Sequence, residues 1–309
     1  MREYRPGGQG FRAALIRGLC RVFVWPTLAW WPLRGPLATL IPLVNLVMSV
    51  TPRLRSTRME RVVGASWRGE LVRPHGPATR AGALLYLHGG AFVFCGLATH
   101  RRIVERLALR TGLPVLSVEY RQLPRARLDE SLADVIDAFR WLVDNGHDGS
   151  IVCVGDSAGG HLAFALALAA EKAGVSGPAG VVGLSPWLDF DSRTKQAHPN
   201  SRKDVFIPTR RLSRVARLCT GTQDRDIDPL RSPVNGTLGC LPPVLLLCAE
   251  DEVLRCDAEL MAERLEAADV EYKIQIWQGQ VHAFPVLGHF LPESRAAIDE
   301  IAHFVDDVV

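Results

Sequence analysis

An α/β fold, built on a mainly parallel sheet with helices on both faces, is predicted by three observations. Short apolar runs of strand length alternate with longer runs of helical periodicity from residue 84 to residue 306. One strand-to-helix joint reads Gly155-Asp156-Ser157-Ala158-Gly159-Gly160, a tight turn of small residues around a serine. An earlier joint reads His88-Gly89-Gly90-Ala91-Phe92, a glycine pair directly after a strand-like run.

In chain order, Leu84 to Leu87 reads as a strand and Arg101 to Arg110 as the helix behind it. Val115 to Val118 and a helix from Leu132 to Asn145 follow, then Ile151 to Val154 and a helix-like run from His161 to Ala173. Val181 to Leu184 is the next strand. Val244 to Cys248 precedes a helix from Asp257 to Ala268, and Lys273 to Trp277 precedes a last helix from Pro292 to Asp306. Apolar runs of this kind suit strands covered on both faces. Two stretches break the alternation. Residues 1–55 are apolar and basic, rich in Trp and Pro, and form an expected N-terminal cap segment ahead of a catalytic domain over 56–309. Residues 192–221, polar and basic, form an expected second cap segment, with Leu212, Val215, Ala216 and Leu218 at helical spacing.

Composition removes several classes of function. The formal net charge is only +3, and no basic block interleaves with aromatics, so no nucleic-acid partner is expected. The seven cysteines are an odd number without C-x-x-C spacing, which suits a reduced, cytoplasmic setting. Cys153, Cys240 and Cys248 lie in or near apolar runs and read as small buried hydrophobes. With no phosphate loop or metal-ligand spacing, neither a metal nor an organic cofactor is expected. No uninterrupted apolar span is long enough to cross a membrane. Trp25, Trp30 and Trp31 beside Arg17, Arg21 and Arg34 leave a peripheral membrane or lipid contact as the alternative to a plain cap.

The chemistry centres on Ser157. A Gly-x-Ser-x-Gly turn between strand and helix has the form of a nucleophile elbow, which lifts the hydroxyl clear of the sheet. It also sets the Ala158 N–H at a helix N-terminus, where a developing oxyanion is favoured. A serine before a helix is often only a cap, so its partners decide. The hydroxyl needs a base, and the base needs an orienting acid. Five histidines lie downstream: His161, His198, His282, His289 and His303. His282 is best placed, just past the end of the Lys273 to Trp277 strand, and His289 in the same loop region is its rival. Between serine and base, Glu250, Asp251 and Glu252 crowd the end of the Val244 to Cys248 strand. Spacing alone does not choose among them. In the upstream loop, Gly89, Gly90 and Ala91 can turn backbone N–H groups into a cleft, as oxyanion donors alongside Ala158. His88 reads as a brace for that loop.

Together these motifs resemble the hormone-sensitive-lipase-like branch of the α/β-hydrolase esterases. Glu119-Tyr120-Arg121, Leu184-Ser185-Pro186-Trp187-Leu188-Asp189, Asp228-Pro229-Leu230-Arg231-Ser232-Pro233 and Leu241-Pro242-Pro243 are similar to further segments of that family. The resemblance covers roughly residues 60–309 and implies an α/β-hydrolase fold with a helical cap. It places the acid in a D-x-L-R-D-like turn. The matching string here is Glu252-Val253-Leu254-Arg255, which favours Glu252 and leaves Asp251 as runner-up. Three departures stand out: HGGA in place of HGGG, Glu in place of the usual Asp, and Gln122-Leu123-Pro124-Arg125 in place of L-A-P-E.

The implied activity is serine-dependent hydrolysis of small acyl esters through an acyl-enzyme, using Ser157, His282 and Glu252. An amidase or deacetylase with the same triad, or a non-catalytic small-molecule receptor on this scaffold, are the alternatives. Natural substrate, acyl length and oligomeric state are not encoded.

Overall fold

A computed structural model describes residues 1–7, 10–32, 53–76, 81–147, 150–222, 227–228, 231–287 and 290–309. Among the described residues, nine strands form one sheet in the order β1-β9-β8-β7-β6-β4-β5-β3-β2. The middle of the sheet is parallel: β4 (Ala83–Leu87), β5 (Val115–Glu119), β6 (Ile151–Asp156), β7 (Gly180–Leu184), β8 (Val244–Ala249) and β9 (Tyr272–Trp277). These are the six strands expected from the apolar runs.

Side chains of each strand alternate between two cores, as the period of two requires. Leu85 and Cys153 join one core, with Phe139 of α4 (Leu128–Leu142), Leu162 of α5 (Ala158–Ala169) and Met261 of α9 (Arg255–Ala267). Leu84, Tyr86 and Val152 join the other, with Leu107 of α3 (Leu97–Thr111) and Ile301 of α10 (Pro292–Val308). Both sheet faces are therefore sealed by helices. Only the strand ends are left for chemistry, and the C-terminal ends of β4, β6, β8 and β9 lead into the candidate loops.

The two sheet edges hold what the apolar pattern does not predict. β2 (Thr57–Val63) and β3 (Arg68–Pro74) form an antiparallel hairpin, with β3 antiparallel to β5. Charged residues such as Arg58, Glu60 and Arg61 interrupt the apolar signal there. The other edge corrects the expected cap boundary. Arg2–Arg5 is β1, running parallel to β9, so the first residues belong to the sheet and not to a cap over 1–55. Its ties span the chain: the amino terminus donates to Tyr272 O at 2.9 Å, and Arg5 reaches Glu300 at 2.6 Å. A bare β9 would present unpaired backbone groups, and a short charged strand covers them.

Residues 11–30 follow as a helix in two parts, α1 (Phe11–Leu19) and α2 (Trp25–Trp30), joined by a π turn over Cys20–Val24. Residues 33–52 of the expected cap lie outside the described residues. The second cap stretch holds α6 (Arg193–Ala197), α7 (Asn200–Lys203) and α8 (Leu212–Thr220), the last carrying the residues expected at helical spacing. Lys195, within that basic stretch, is fully buried. Cys153 and Cys248 are buried as expected, but Cys240 is exposed in a short turn before β8. No described helix is long and apolar enough to cross a membrane.

Candidate active site

Ser157 sits at the β6–α5 joint with φ 53° and ψ −116°. A non-glycine residue there carries a strain of about 1–3 kcal/mol, which its surroundings must hold. They do so through the backbone. The Ser157 N–H donates to Leu184 O at 2.9 Å, and its carbonyl accepts from Trp187 N–H at 3.0 Å and His161 N–H at 3.1 Å. Gly159 is required by close approach, since a Cβ there would collide with the Leu87 carbonyl. The elbow is thereby pressed directly against the end of β4.

Asp156 locks the elbow to the upstream loop. Its Oδ1 accepts from the Tyr86 hydroxyl at 2.9 Å and from the Gly89 N–H at 3.0 Å. His100 Nε2 lies 3.2 Å from Oδ1 and 3.3 Å from Oδ2. Burial alone would raise the Asp156 carboxyl, but His100 and the hydrogen bonds hold it below the ordinary carboxylate range. Gly89 is thus removed from the expected donor set, because its N–H is already spent on Asp156. No hydrogen bond takes the N–H of Gly90, Ala91 or Ala158 among the described residues. Ala91 has φ 54°, a left-handed conformation that costs a residue with a Cβ about 1–2 kcal/mol. The loop is held in it by Val93 and Phe94 N–H groups on Gly90 O, at 3.0 and 2.8 Å. The unusual Gln122–Arg125 stretch packs here too, with Leu123 N–H on Phe92 O at 2.9 Å.

His88 is a brace. Its Nδ1–H donates to Gly89 O at 2.8 Å, and its ring stacks on Tyr120 at 4.6 Å. Tyr120 in turn donates its hydroxyl to His88 O at 2.7 Å. Burial, with His100 nearby, pushes the His88 imidazole down to about 4, so it stays neutral.

The structure brings His282 and Glu252 together. Nδ1–H of His282 donates to Glu252 Oε2 at 2.7 Å, and both side chains are buried. The other carboxylate oxygen of Glu252 accepts the Ala249 N–H at 2.9 Å, which fixes the acid on the end of β8. Asp251, the runner-up, points elsewhere and faces Lys203 at 3.4 Å. Burial tends to lower the His282 imidazole, but the bond to Glu252 and its charge, with Asp204 and Asp156 behind, raise it above 6.5. The remaining histidines are otherwise engaged or placed. His161 donates to Trp187 O at 2.9 Å, stacks on Phe190, and is pushed down to about 4 by burial. His198 accepts the Asn200 N–H at 3.2 Å, and His303 is exposed on α10. His289 lies outside the described residues.

Three further residues hold this site, none with a role assigned from the sequence. Ser185 accepts the Ala283 N–H on its hydroxyl at 2.9 Å, pinning the residue after His282. Asn200 donates its amide to Glu250 O at 2.8 Å and Glu252 O at 2.9 Å. Asp204, one helical turn later, accepts the Val253 N–H at 2.8 Å on one oxygen and the Phe206 and Ile207 N–H groups on the other, at 2.8 and 2.9 Å. Burial pushes the Asp204 carboxyl up to about 6 against these donors. Asn200 and Asp204 therefore clamp the loop that carries Glu252.

Ser157 and His282 line one cavity of about 540 Å³. The Ser157 hydroxyl forms no hydrogen bond among the described residues. Such bonds are often long until substrate is bound. Gly90, Ala91, Thr99 and His100 line the same space, and its walls are mostly apolar: Phe94, Trp187, Phe206, Leu212 and Val215 from the body and second cap stretch, and Phe23, Val24, Leu28 and Trp31 from the N-terminal helix. The Phe206 ring lies 5.3 Å from that of His282. The arrangement combines a strained serine, a buried imidazole–carboxylate pair and unspent amides around one apolar chamber.

Known proteins resemble this chain in sequence and in fold. A family model described as alpha/beta hydrolase fold matches residues 84–286. Esterase LipU of Mycobacterium tuberculosis is 38% identical over 245 residues, which cover 76% of this chain and 82% of that protein. Carboxylesterase/phospholipase LipF of the same organism is 37% identical over 247 residues, 77% of this chain and 66% of that protein. A crystal structure of an esterase from the bacterial hormone-sensitive lipase family superposes with a TM-score of 0.86 at 29% identity, covering 98% of this chain and 99% of that one.

Proposed function

Since the chain belongs to the hormone-sensitive-lipase-like family of α/β-hydrolase esterases, we propose that it cleaves carboxylic esters through an acyl-enzyme formed on Ser157. One observation carries this reading: the buried 2.7 Å pair of His282 and Glu252 opens on the same cavity as the strained Ser157. Ser157 Oγ attacks the carbonyl carbon while His282 Nε2 takes the hydroxyl proton. Negative charge builds on the carbonyl oxygen, within reach of the Gly90, Ala91 and Ala158 amides. When the tetrahedral species collapses, its C–O bond to the alcohol breaks and the leaving oxygen receives the proton from Nε2. Water then attacks the acyl group, giving a proton to Nε2, and the second collapse returns it to Ser157 Oγ as the acid departs. Glu252 stays ionised throughout and holds the imidazole in the Nδ1–H tautomer.

The mostly apolar chamber suits an acyl chain or apolar alcohol beside this polar end. Residues 11–31 and 192–221 serve as its cap in this reading.

The test is turnover of p-nitrophenyl acetate with labelling by a fluorophosphonate. The parental chain should gain the phosphonate on Ser157, and Ser157→Ala should lose about 10⁶-fold in kcat with the fold unchanged. A Ser157→Ala chain at the parental rate, or a label on another residue, overturns the assignment. Faster turnover of matched anilides than of esters would move the activity to amides. Binding without turnover would make the chain a receptor.

A further inference from the structure

We infer that the outer face of the N-terminal helix docks on a lipid surface bearing anionic headgroups. The inner face of this helix is occupied: Ala13 and Cys20 are buried, Ile16 and Val24 pack on the core, and Leu28 and Trp31 line the cavity. Its outer face is apolar and exposed. Phe11 is 81% exposed, Trp30 is 78% exposed, and Leu15, Leu19, Val22 and Phe23 are exposed between them. Steps of four residues from Phe11 to Leu15, Leu19 and Phe23 put these side chains in one stripe along the helix. Single exposed hydrophobics are ordinary on soluble proteins, whereas a continuous row is not.

Charge selects the occupant. From Tyr4 to Met59 the chain contains no Asp, Glu, Lys or His, and every charge is an arginine. Arg12, Arg17 and Arg21 stand exposed on this helix, and none is ion-paired among the described residues. A second copy seated face to face on the stripe would bring two all-arginine segments together with no carboxylate to answer them. An anionic lipid surface answers both features, taking the apolar row below the headgroups and the guanidinium groups among them. The indole of Trp30 suits that boundary, with an apolar body and a polar N–H. Phe23 belongs to both faces, exposed on one side and lining the cavity on the other, so the docked helix sets the cavity mouth at the lipid surface.

The experiment is co-sedimentation of the full chain with phosphatidylcholine vesicles, with and without phosphatidylserine, at low and high salt. Retention should rise at least tenfold with phosphatidylserine and fall with salt. It should be lost in Leu15→Ser with Leu19→Ser, and separately in Arg17→Glu with Arg21→Glu. Both variants should keep the parental melting temperature and turnover of p-nitrophenyl acetate, because none of these residues lines the cavity. No retention on either vesicle, equal retention on both, or retention unchanged in the variants overturns the proposal. So does a dimer in sedimentation velocity that the serine variant dissolves while vesicles fail to bind. Loss of vesicle binding with soluble-ester turnover intact would sink this inference alone and leave the hydrolase reading standing.

Discussion

Two stretches cover the cavity, and they are attached to the body by different physics. The second, over residues 192–221, is fastened by buried polar bonds. Lys195 Nζ lies 2.7 Å from Asp257 Oδ1, with both side chains buried, and Asp257 also accepts the Leu188 and Asp189 N–H groups at 3.0 and 2.9 Å. Asn200 and Asp204 then hold the backbone on either side of Glu252. The N-terminal helix rests on the body mainly through apolar side chains, with Arg211 donating to Trp31 O at 2.5 Å as a cross-tie. Directional bonds with burial fix position to tenths of an ångström. Apolar contact fixes it far less sharply. The second stretch is therefore part of the frame that holds the Glu252 loop, and the N-terminal helix is an apolar wall laid against the body.

The largest effect that tests this contrast is on stability. Removing one partner of a buried ion pair leaves a stranded charge, at a cost of about 3–5 kcal/mol. Lys195→Met should destabilise the chain by that amount in urea unfolding, and adding Asp257→Asn, which removes the charge but keeps an oxygen for the Leu188 and Asp189 N–H groups, should recover a large part of it. Burial pushes the Asp257 carboxyl up to about 6 even beside Lys195, so losing the cation must raise it further. If Lys195→Met unfolds at the parental urea midpoint, the second stretch is not fastened in this way.

The next effect is on catalysis at a distance. Asp204 is a positioning residue: its carboxylate holds the backbone after Glu252 and adds negative charge near His282. Asp204→Asn removes that charge and sets an amide donor against either the Val253 N–H or the Phe206 and Ile207 N–H groups. We expect kcat/KM for p-nitrophenyl acetate to fall about tenfold, roughly 1.4 kcal/mol. The pH profile separates this from a packing defect. The base must be neutral to accept a proton, so activity falls as pH drops through the raised His282 value, above 6.5. Asp204 is among the charges that raise it, so the acid limb in Asp204→Asn must move to lower pH. A rate loss with an unmoved limb would reduce Asp204 to ordinary scaffolding.

These two residues also mark where the sequence stops being legible. The elbow, the 88–92 loop and the late histidine are each read from a few consecutive residues, because a tight turn, a bare amide and a strand-end loop are local demands. The end of β8 offers three neighbouring carboxylates, and spacing leaves them equivalent; the family resemblance favours Glu252, and the fold aims it inward and Asp251 at Lys203. Asn200 and Asp204 bond to backbone groups about fifty residues away, and a backbone partner leaves no trace in residue type. They lie in a polar, basic stretch that reads as a cap segment, with nothing in it that points to the Glu252 loop. Gly89 fails for a related reason. A glycine pair offers several amides, but which one Asp156 consumes depends on how β4 and β6 lie side by side. β1 is hidden by distance, since its partner strand lies at the far end of the chain.

The smallest effect belongs to the N-terminal helix, and it should be selective. Leu28 lines the cavity and takes no part in the hydrogen bonds that hold Ser157, Glu252 and His282. Leu28→Ala removes apolar wall without disturbing the hydrogen bonds around Ser157, Glu252 or His282. An acetyl ester, held at the polar end, should be hydrolysed at the parental rate. A longer acyl chain loses about 0.8 kcal/mol for each methylene no longer buried, roughly fourfold in kcat/KM. The loss should fall on KM, because contacts far from the carbonyl are alike in ground and transition states. Steady-state kinetics over acetyl, butyryl and hexanoyl esters would read this directly. If acetyl turnover falls as far as hexanoyl turnover, and through kcat, the helix is holding the catalytic groups as firmly as the second stretch does. The two coverings would then differ in chemistry of attachment but not in role.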